Sequence, residues 1–168
     1  QAVRGHLHAA RMASAAVALG WGFDAAAFYA LARGEAGAPA RLRLTLDRDG
    51  TLAVERGAVP APLAVWRLGL ASARLASADP WLRVKSTRRA TYDTARAALP
   101  PGLDELVFLN ERGEVGDGTI TTLFFDRGAG LRTPPLASGL LPGVLRAEMA
   151  VPEDVLAGSD LPLVALWL

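Results

Sequence analysis

Three groups in this chain could do chemistry together. Lys85 is the one lysine among 18 basic residues, and a primary amine can lose its proton or condense with a carbonyl where a guanidinium cannot. Asp117, in Asp117-Gly118-Thr119, supplies a carboxylate from what reads as a strand-to-strand turn. Leu140-Leu141-Pro142-Gly143-Val144 reads as a turn opening onto a helix, where free N–H groups and the positive end of the helix dipole suit an anion such as phosphate. Taken singly, these are a solvated lysine, a turn aspartate and a helix cap. Together, amine, carboxylate and phosphate cradle are what pyridoxal phosphate requires. The lysine holds the aldehyde, the carboxylate pairs with the pyridine nitrogen, and N–H groups with an arginine hold the phosphate.

Composition narrows the alternatives. A formal net charge of +1, with 51% hydrophobic and 21% charged residues, gives no field able to gather nucleic acid or anionic lipid, so neither is expected as a partner. The absence of cysteine excludes disulfides, thiolate metal sites and thiol catalysis. His6 and His8 have no third ligand beside them, so no metal site is expected and both read as helix-surface residues. The longest apolar stretches, 13–20 and 161–168, are about half of a membrane span. A soluble, cytoplasmic protein is the expectation, with no secretory pattern in view. Gln1 in first place and a last residue, Leu168, that reads as mid-strand suggest a chain cut at both ends.

These groups need elements to position them. Leu7, Ala10, Met12, Ala15 and Leu19 recur at helical spacing up to Gly20, and Asp24 stands as N-cap to a second helix that runs out near Gly34. Leu42, Leu44 and Leu46 then alternate with polar residues before Asp47-Arg48-Asp49-Gly50, which predicts a β-hairpin. A further strand is expected over 63–68 and a linker in the Ala-, Ser- and Gly-rich stretch that follows. Beyond Lys85, Thr87 can cap a helix that stops at Pro100-Pro101-Gly102. The rest reads as a strand meander, 105–109 and 120–125, with turns at Asn110-Glu111-Arg112-Gly113 and Gly128-Ala129-Gly130, and a last helix from about Val144 to Met149.

Three segments in this order carry a resemblance: Val84-Lys85-Ser86-Thr87-Arg88-Arg89-Ala90-Thr91-Tyr92-Asp93, then Leu109-Asn110-Glu111-Arg112-Gly113-Glu114-Val115-Gly116-Asp117-Gly118-Thr119-Ile120, then Thr133-Pro134-Pro135-Leu136-Ala137-Ser138-Gly139-Leu140-Leu141-Pro142-Gly143. They resemble the class IV aminotransferases, the fold type IV pyridoxal phosphate enzymes. The lysine followed by Thr87, Arg89 and Tyr92-Asp93 is similar to the 4-amino-4-deoxychorismate lyase branch, and His8-Ala9-Ala10-Arg11-Met12 is similar to the family's first helix.

The resemblance implies a two-part α/β (α+β) chain with the fold of the D-amino acid aminotransferases. A small helix-plus-antiparallel-sheet half would span 1–74, followed by a linker at 75–82 and a β-rich pseudo-barrel half at 83–168. The family's first strands and last residues would be missing. Lys85 would be the catalytic lysine that holds the cofactor, Asp117 would face the pyridine nitrogen, and Arg11 with the Val144 and Leu145 backbone would hold the phosphate. Tyr92 would lie against the cofactor, and Arg88 or Arg89 would meet a substrate carboxylate. Asp117 stands where the family usually has glutamate, Thr122 where it often has asparagine, and Leu145 where a threonine often follows the turn.

The implied activity is a lyase that turns a small amino substrate, aminodeoxychorismate, into 4-aminobenzoate and pyruvate for folate synthesis, in a homodimer. The alternatives are a branched-chain or D-amino acid transaminase and a catalytically silent homologue with a structural or binding role.

Overall fold

The computed structural model describes residues 2–33 and 39–168. The chain divides into two compact units, Gln1–Leu63 and Ala64–Leu168. In the first, α1 (Gly5–Leu19) ends where Gly20 turns left-handed at φ 69°, a conformation that costs glycine nothing. Asp24 caps α2 (Ala25–Ala32), its carboxylate accepting the Ala26 and Ala27 N–H groups at 2.8 and 3.1 Å. Gly34, the expected end of that helix, lies outside the described residues. Strands β1 (Ala40–Leu46) and β2 (Leu52–Ala58) form the expected antiparallel hairpin, with Gly50 at φ 87° in the turn. Ala9, Phe28 and Ala32 form this unit's core, joined by Met12, Phe23, Leu44 and Leu52.

The second unit holds β3 (Leu68–Leu75), α3 (Ala90–Ala97), β4 (Glu105–Asn110), β5 (Val115–Gly118), β6 (Phe124–Asp126), α4 (Val144–Met149) and β7 (Ala165–Trp167). Its sheet runs β3-β4-β5, the first pair parallel and the second antiparallel, and β6 pairs antiparallel with β7. All six residues of β4 are buried, the apolar run Leu106–Leu109 as a central strand requires, and Glu105 and Asn110 at its ends by their hydrogen bonds. Val107, Leu109, Val115, Leu123, Phe125 and Leu156 make one core cluster. Leu75, Leu82 and Phe108 make another, with Tyr92 against it.

The mixed α and β class agrees with expectation, but several boundaries differ. The division falls after Leu63 rather than at 74, and the segment read as linker is β3 followed by a 3-10 turn over Pro80–Arg83 that buries Leu82. β3 lacks a hydrophobic alternation because most of it is exposed or half-buried and one of its small residues, Gly69, sits where there is no room for a side chain. A Cβ on Gly69 would fall 2.5 Å from Leu103 Cδ1. Residues 63–67 are not strand. Thr87 does not cap α3: Arg89 takes the N-cap position with no side-chain bond, and the Thr87 carbonyl accepts the Arg89 N–H at 2.9 Å. The strand expected over 120–125 begins only at Phe124, because the preceding residues are bound in a turn around a buried carboxylate. Asp117 therefore lies within β5 rather than in the turn, which closes one residue later with the Gly118 N–H on the Thr121 carbonyl at 3.0 Å.

Candidate active site

The second unit brings together the three groups singled out in the sequence. Asp117 is 6% exposed on β5, and its Oδ2 accepts the Leu141 N–H at 2.8 Å, so the carboxylate is bonded directly to the Leu140-Leu141-Pro142-Gly143 turn. Burial drives its carboxyl up to about 7, against the lowering effects of that bond and of the Lys85 and Arg146 charges, while Glu105 adds to the rise. Lys85 lies exposed in the connection between the 3-10 turn and α3, close enough for its charge to act on Asp117.

Tyr92, on α3, is half-buried, packed edge-on against Phe108 with ring centroids 4.9 Å apart. Its hydroxyl pKa is pushed up, first by burial and then by the Asp117 charge. Arg88 and Arg89 differ in what they do. Arg89 is engaged: Nε donates to Asp93 at 2.7 Å, Nη2 donates to the Thr119 carbonyl at 2.8 Å, and the guanidinium lies 5.6 Å from the Tyr92 ring centroid. Arg88 is exposed, with its guanidinium 4.7 Å over the Trp81 ring.

Gly143 is the N-cap of α4, and Val144 and Leu145 are its first residues, whose N–H groups have no partner within the helix. Gly143 is buried, and a Cβ there would meet Thr122 Oγ1 at 2.6 Å. The threonine hydroxyl thus sits against the turn, in the space that a side chain at 143 would take. Amine, buried carboxylate and an open N–H turn with an adjacent hydroxyl match in kind the groups that pyridoxal phosphate presents, so the residues present fit the cofactor. Arg11 lies in the first unit on α1, half-buried, with Nη2 3.5 Å from His8 Nδ1 and its pKa lowered by burial.

Sequence reasoning missed the residues that hold these groups in place. Glu105 is 0% exposed and accepts the N–H groups of Leu106, Thr119 and Ile120 at 2.9, 3.0 and 3.1 Å, together with the hydroxyls of Thr119 and Thr121. Burial opposes its ionisation, but these donors together hold its pKa below the usual value. Its only sequence signal was an acid at the head of the apolar run Leu106-Val107-Phe108-Leu109.

Glu114 begins at the other end of β5. It accepts from Arg112, Asn110 and Ser138, which pull its pKa down to about 2. Arg112 also bonds Ser77, Glu111 and the Ala137 carbonyl, so the segment read as a simple turn is a polar junction of three chain segments. Arg146, buried on α4, donates to Thr133 Oγ1 at 2.7 Å and the Pro134 carbonyl at 2.6 Å and pairs with Glu153. Among the described residues no buried side-chain nitrogen or oxygen lacks a partner, as a native polar network requires.

The family model of the class IV amino-transferases matches residues 1–151. A solved structure assigned as an amino-acid aminotransferase from Mesorhizobium loti is 39% identical, with a TM-score of 0.88 over 98% of this chain and 85% of its own. The 4-amino-4-deoxychorismate lyase from Pseudomonas aeruginosa superposes with a TM-score of 0.74 at 20% identity, over 96% of this chain and 71% of its own. The branched-chain aminotransferase from Thermoproteus uzoniensis, solved with norvaline, gives 0.69 at 20% identity, over 96% and 65%. At that identity the last two share the fold alone. No curated protein matches the chain significantly. The chain belongs to the class IV aminotransferases, a family of pyridoxal-phosphate-dependent enzymes.

Proposed function

We propose that this chain binds pyridoxal phosphate through Lys85 and acts as a 4-amino-4-deoxychorismate lyase. The observation that carries cofactor binding is the convergence on Asp117. One buried carboxylate is bonded to the Leu141 turn and lies within the field of Lys85. When bound, pyridoxal phosphate supplies an electron sink for charge that develops beside the substrate's amino carbon.

The chain's residues have separable roles. Asp117, uncomfortable as an anion when buried alone, would be relieved by a protonated pyridine nitrogen and would keep that proton in place. The Val144 and Leu145 N–H groups, with the Thr122 hydroxyl, would hold the phosphate. Arg11 is assigned to the phosphate by family resemblance. Tyr92 would pack beside the ring. Lys85 Nζ, once displaced by the substrate amine, would take the proton from the ring carbon bearing that amine. Lys85 would return that proton to the departing enolpyruvyl group, giving pyruvate, and the ring left behind would be 4-aminobenzoate, with aromatisation as the driving force. Of the two arginines, Arg88 would be the one to meet a substrate carboxylate, because Arg89 is committed to Asp93 and Thr119.

The lyase reading is supported by the segment from Lys85 to Asp93. A second reading, an amino-acid transaminase, is favoured by the assignment of the 39% identical Mesorhizobium loti relative. The same lysine would then move a proton between two carbons, with a keto acid as acceptor. A homodimer and a cytoplasmic location belong to the same proposal; among the described residues no helix is long and apolar enough to cross a membrane.

Adding pyridoxal phosphate to the purified protein should give a visible band at roughly 410 to 420 nm, absent in Lys85→Ala. Borohydride should fix the cofactor's mass on the Lys85 peptide. No band, or the same band in the variant, would refute both enzyme readings and leave the silent homologue. Pyruvate release from aminodeoxychorismate without a keto acid would then establish the lyase, whereas turnover only with a keto acid would establish the transaminase.

A further inference from the structure

Glu105 was not among the three groups singled out in the sequence, yet its bonds run to the turn that directly follows Asp117. The turn it holds, 119–121, directly follows Asp117 and Gly118 and directly precedes Thr122, whose hydroxyl lies against Gly143. A Cβ on Gly118 would clash with Thr121 Oγ1 and fall 2.9 Å from Glu105 Oε2, so any side chain there would push these two bonded groups aside. α3, which follows Lys85, reaches the same turn twice. Arg89 donates to the Thr119 carbonyl, and Arg96 lies 3.5 Å from both Glu105 Oε1 and Thr119 Oγ1 while donating to the Asp104 carbonyl at 2.9 Å.

The charge is matched to this task. A carboxylate offers about four acceptor sites and no donor, and here it receives two hydroxyls and three N–H groups. A glutamine in its place would present an amide N–H pair to groups that are themselves donors. An apolar residue would remove the acceptor that the Thr119 and Thr121 hydroxyls and the Ile120 N–H share, leaving the Thr119 N–H only its bond to the Leu106 carbonyl at 3.1 Å.

We propose that Glu105 is a positioning residue for the cofactor: by clamping the 119–121 turn it sets where the Asp117 carboxylate and the Thr122 hydroxyl meet the pyridine ring and phosphate. It touches neither group and acts through the turn. This rests on the proposed binding of pyridoxal phosphate at Lys85 and adds to it a residue that resemblance did not indicate.

The test uses the whole chain in three forms: wild type, Glu105→Gln and Thr121→Val, the last removing a single bond to Glu105 at nearly constant shape. Two quantities are read below the melting temperature of each: the dissociation constant for pyridoxal phosphate and the pH midpoint of the visible band. A carboxylate displaced from the pyridine nitrogen lets that nitrogen lose its proton, and removing a nearby positive charge raises the midpoint. The expected result is a dissociation constant at least roughly tenfold higher in Glu105→Gln, the scale seen when groups supporting a ligand are removed, with a raised midpoint. Thr121→Val should show a smaller change in the same direction.

Wild-type affinity and midpoint in Glu105→Gln, with only the melting temperature lowered, would overturn the proposal. Should that variant fail to fold, Thr121→Val decides by the same two readings. A wild type that binds no pyridoxal phosphate would instead overturn the cofactor reading itself.

Discussion

Asp117 makes the cofactor-free protein sensitive to pH in a direction opposite to that of most carboxylates. Its folded-state pKa is raised by burial to about 7, while an unfolded aspartate titrates near 4. Between those values the folded chain holds the extra proton, so this group's contribution to stability is full below about pH 4 and is lost as pH rises through about 7. Glu111 and Glu114 work the other way. Their pKa values are held down to about 2, Glu111 chiefly by bonds from Ser77 and Glu114 chiefly by Arg112, so their contributions are full above 4.5 and lost as pH falls toward about 2. Thermal melts of the cofactor-free wild type should therefore decline between about pH 5 and about pH 8, and Asp117→Asn should flatten that decline. Identical slopes in the two proteins would show that Asp117 ionises normally. Addition of pyridoxal phosphate should also reduce the wild-type slope, because a positive partner restores the carboxylate.

At the scale of elements, β5 is held at both ends: Glu114 precedes it in a network with Asn110, Arg112 and Ser138, and the Glu105 turn follows it. Ser138 leads into Gly139 at φ 85°, where a Cβ would fall 2.6 Å from Ser77 Cα. Gly139→Ala should therefore lower stability by about 2–4 kcal/mol, combining left-handed backbone strain with a backbone clash. Urea unfolding measures this, and a loss under about 1 kcal/mol would mean that the two segments part easily. The elements legible in the sequence were those with local causes, such as the Gly20 stop, the Asp24 cap, the hairpin turn and the Gly143 entry into α4. Those misread depended on distant partners. Nothing in the composition of β3 shows that it lies beside Glu105–Asn110, and nothing in Ile120-Thr121-Thr122 shows that a carboxylate fifteen residues earlier bends it out of a strand. Lys85 was legible because it is the one lysine, and Asp117 and the Leu141 turn through the motifs around them; Glu105 and Arg146 were not, because they bind other parts of the protein.

At the scale of the whole molecule, each unit has its own core, and the candidate groups other than Arg11 lie in the second. Binding confined to the folded state should raise the unfolding free energy by about 2.7 kcal/mol at pyridoxal phosphate concentrations a hundredfold above the dissociation constant. Differential scanning calorimetry would show this as a rise in melting temperature that is lost in Lys85→Ala. The parallel pairing of β3 with β4 carries a further consequence, for how the protein folds. Parallel neighbours cannot be joined by a tight turn, so residues 76–104, Lys85 and α3 included, form the crossover between them. Such a loop must close before its contacts reward the lost entropy, which makes this pairing a slow event in folding. Until β3 docks, the lysine is not held within the reach of Asp117 that its charge shows in the folded chain. Capture of pyridoxal phosphate during refolding should therefore lag behind the appearance of helix, and the visible band would act as a clock for the crossover.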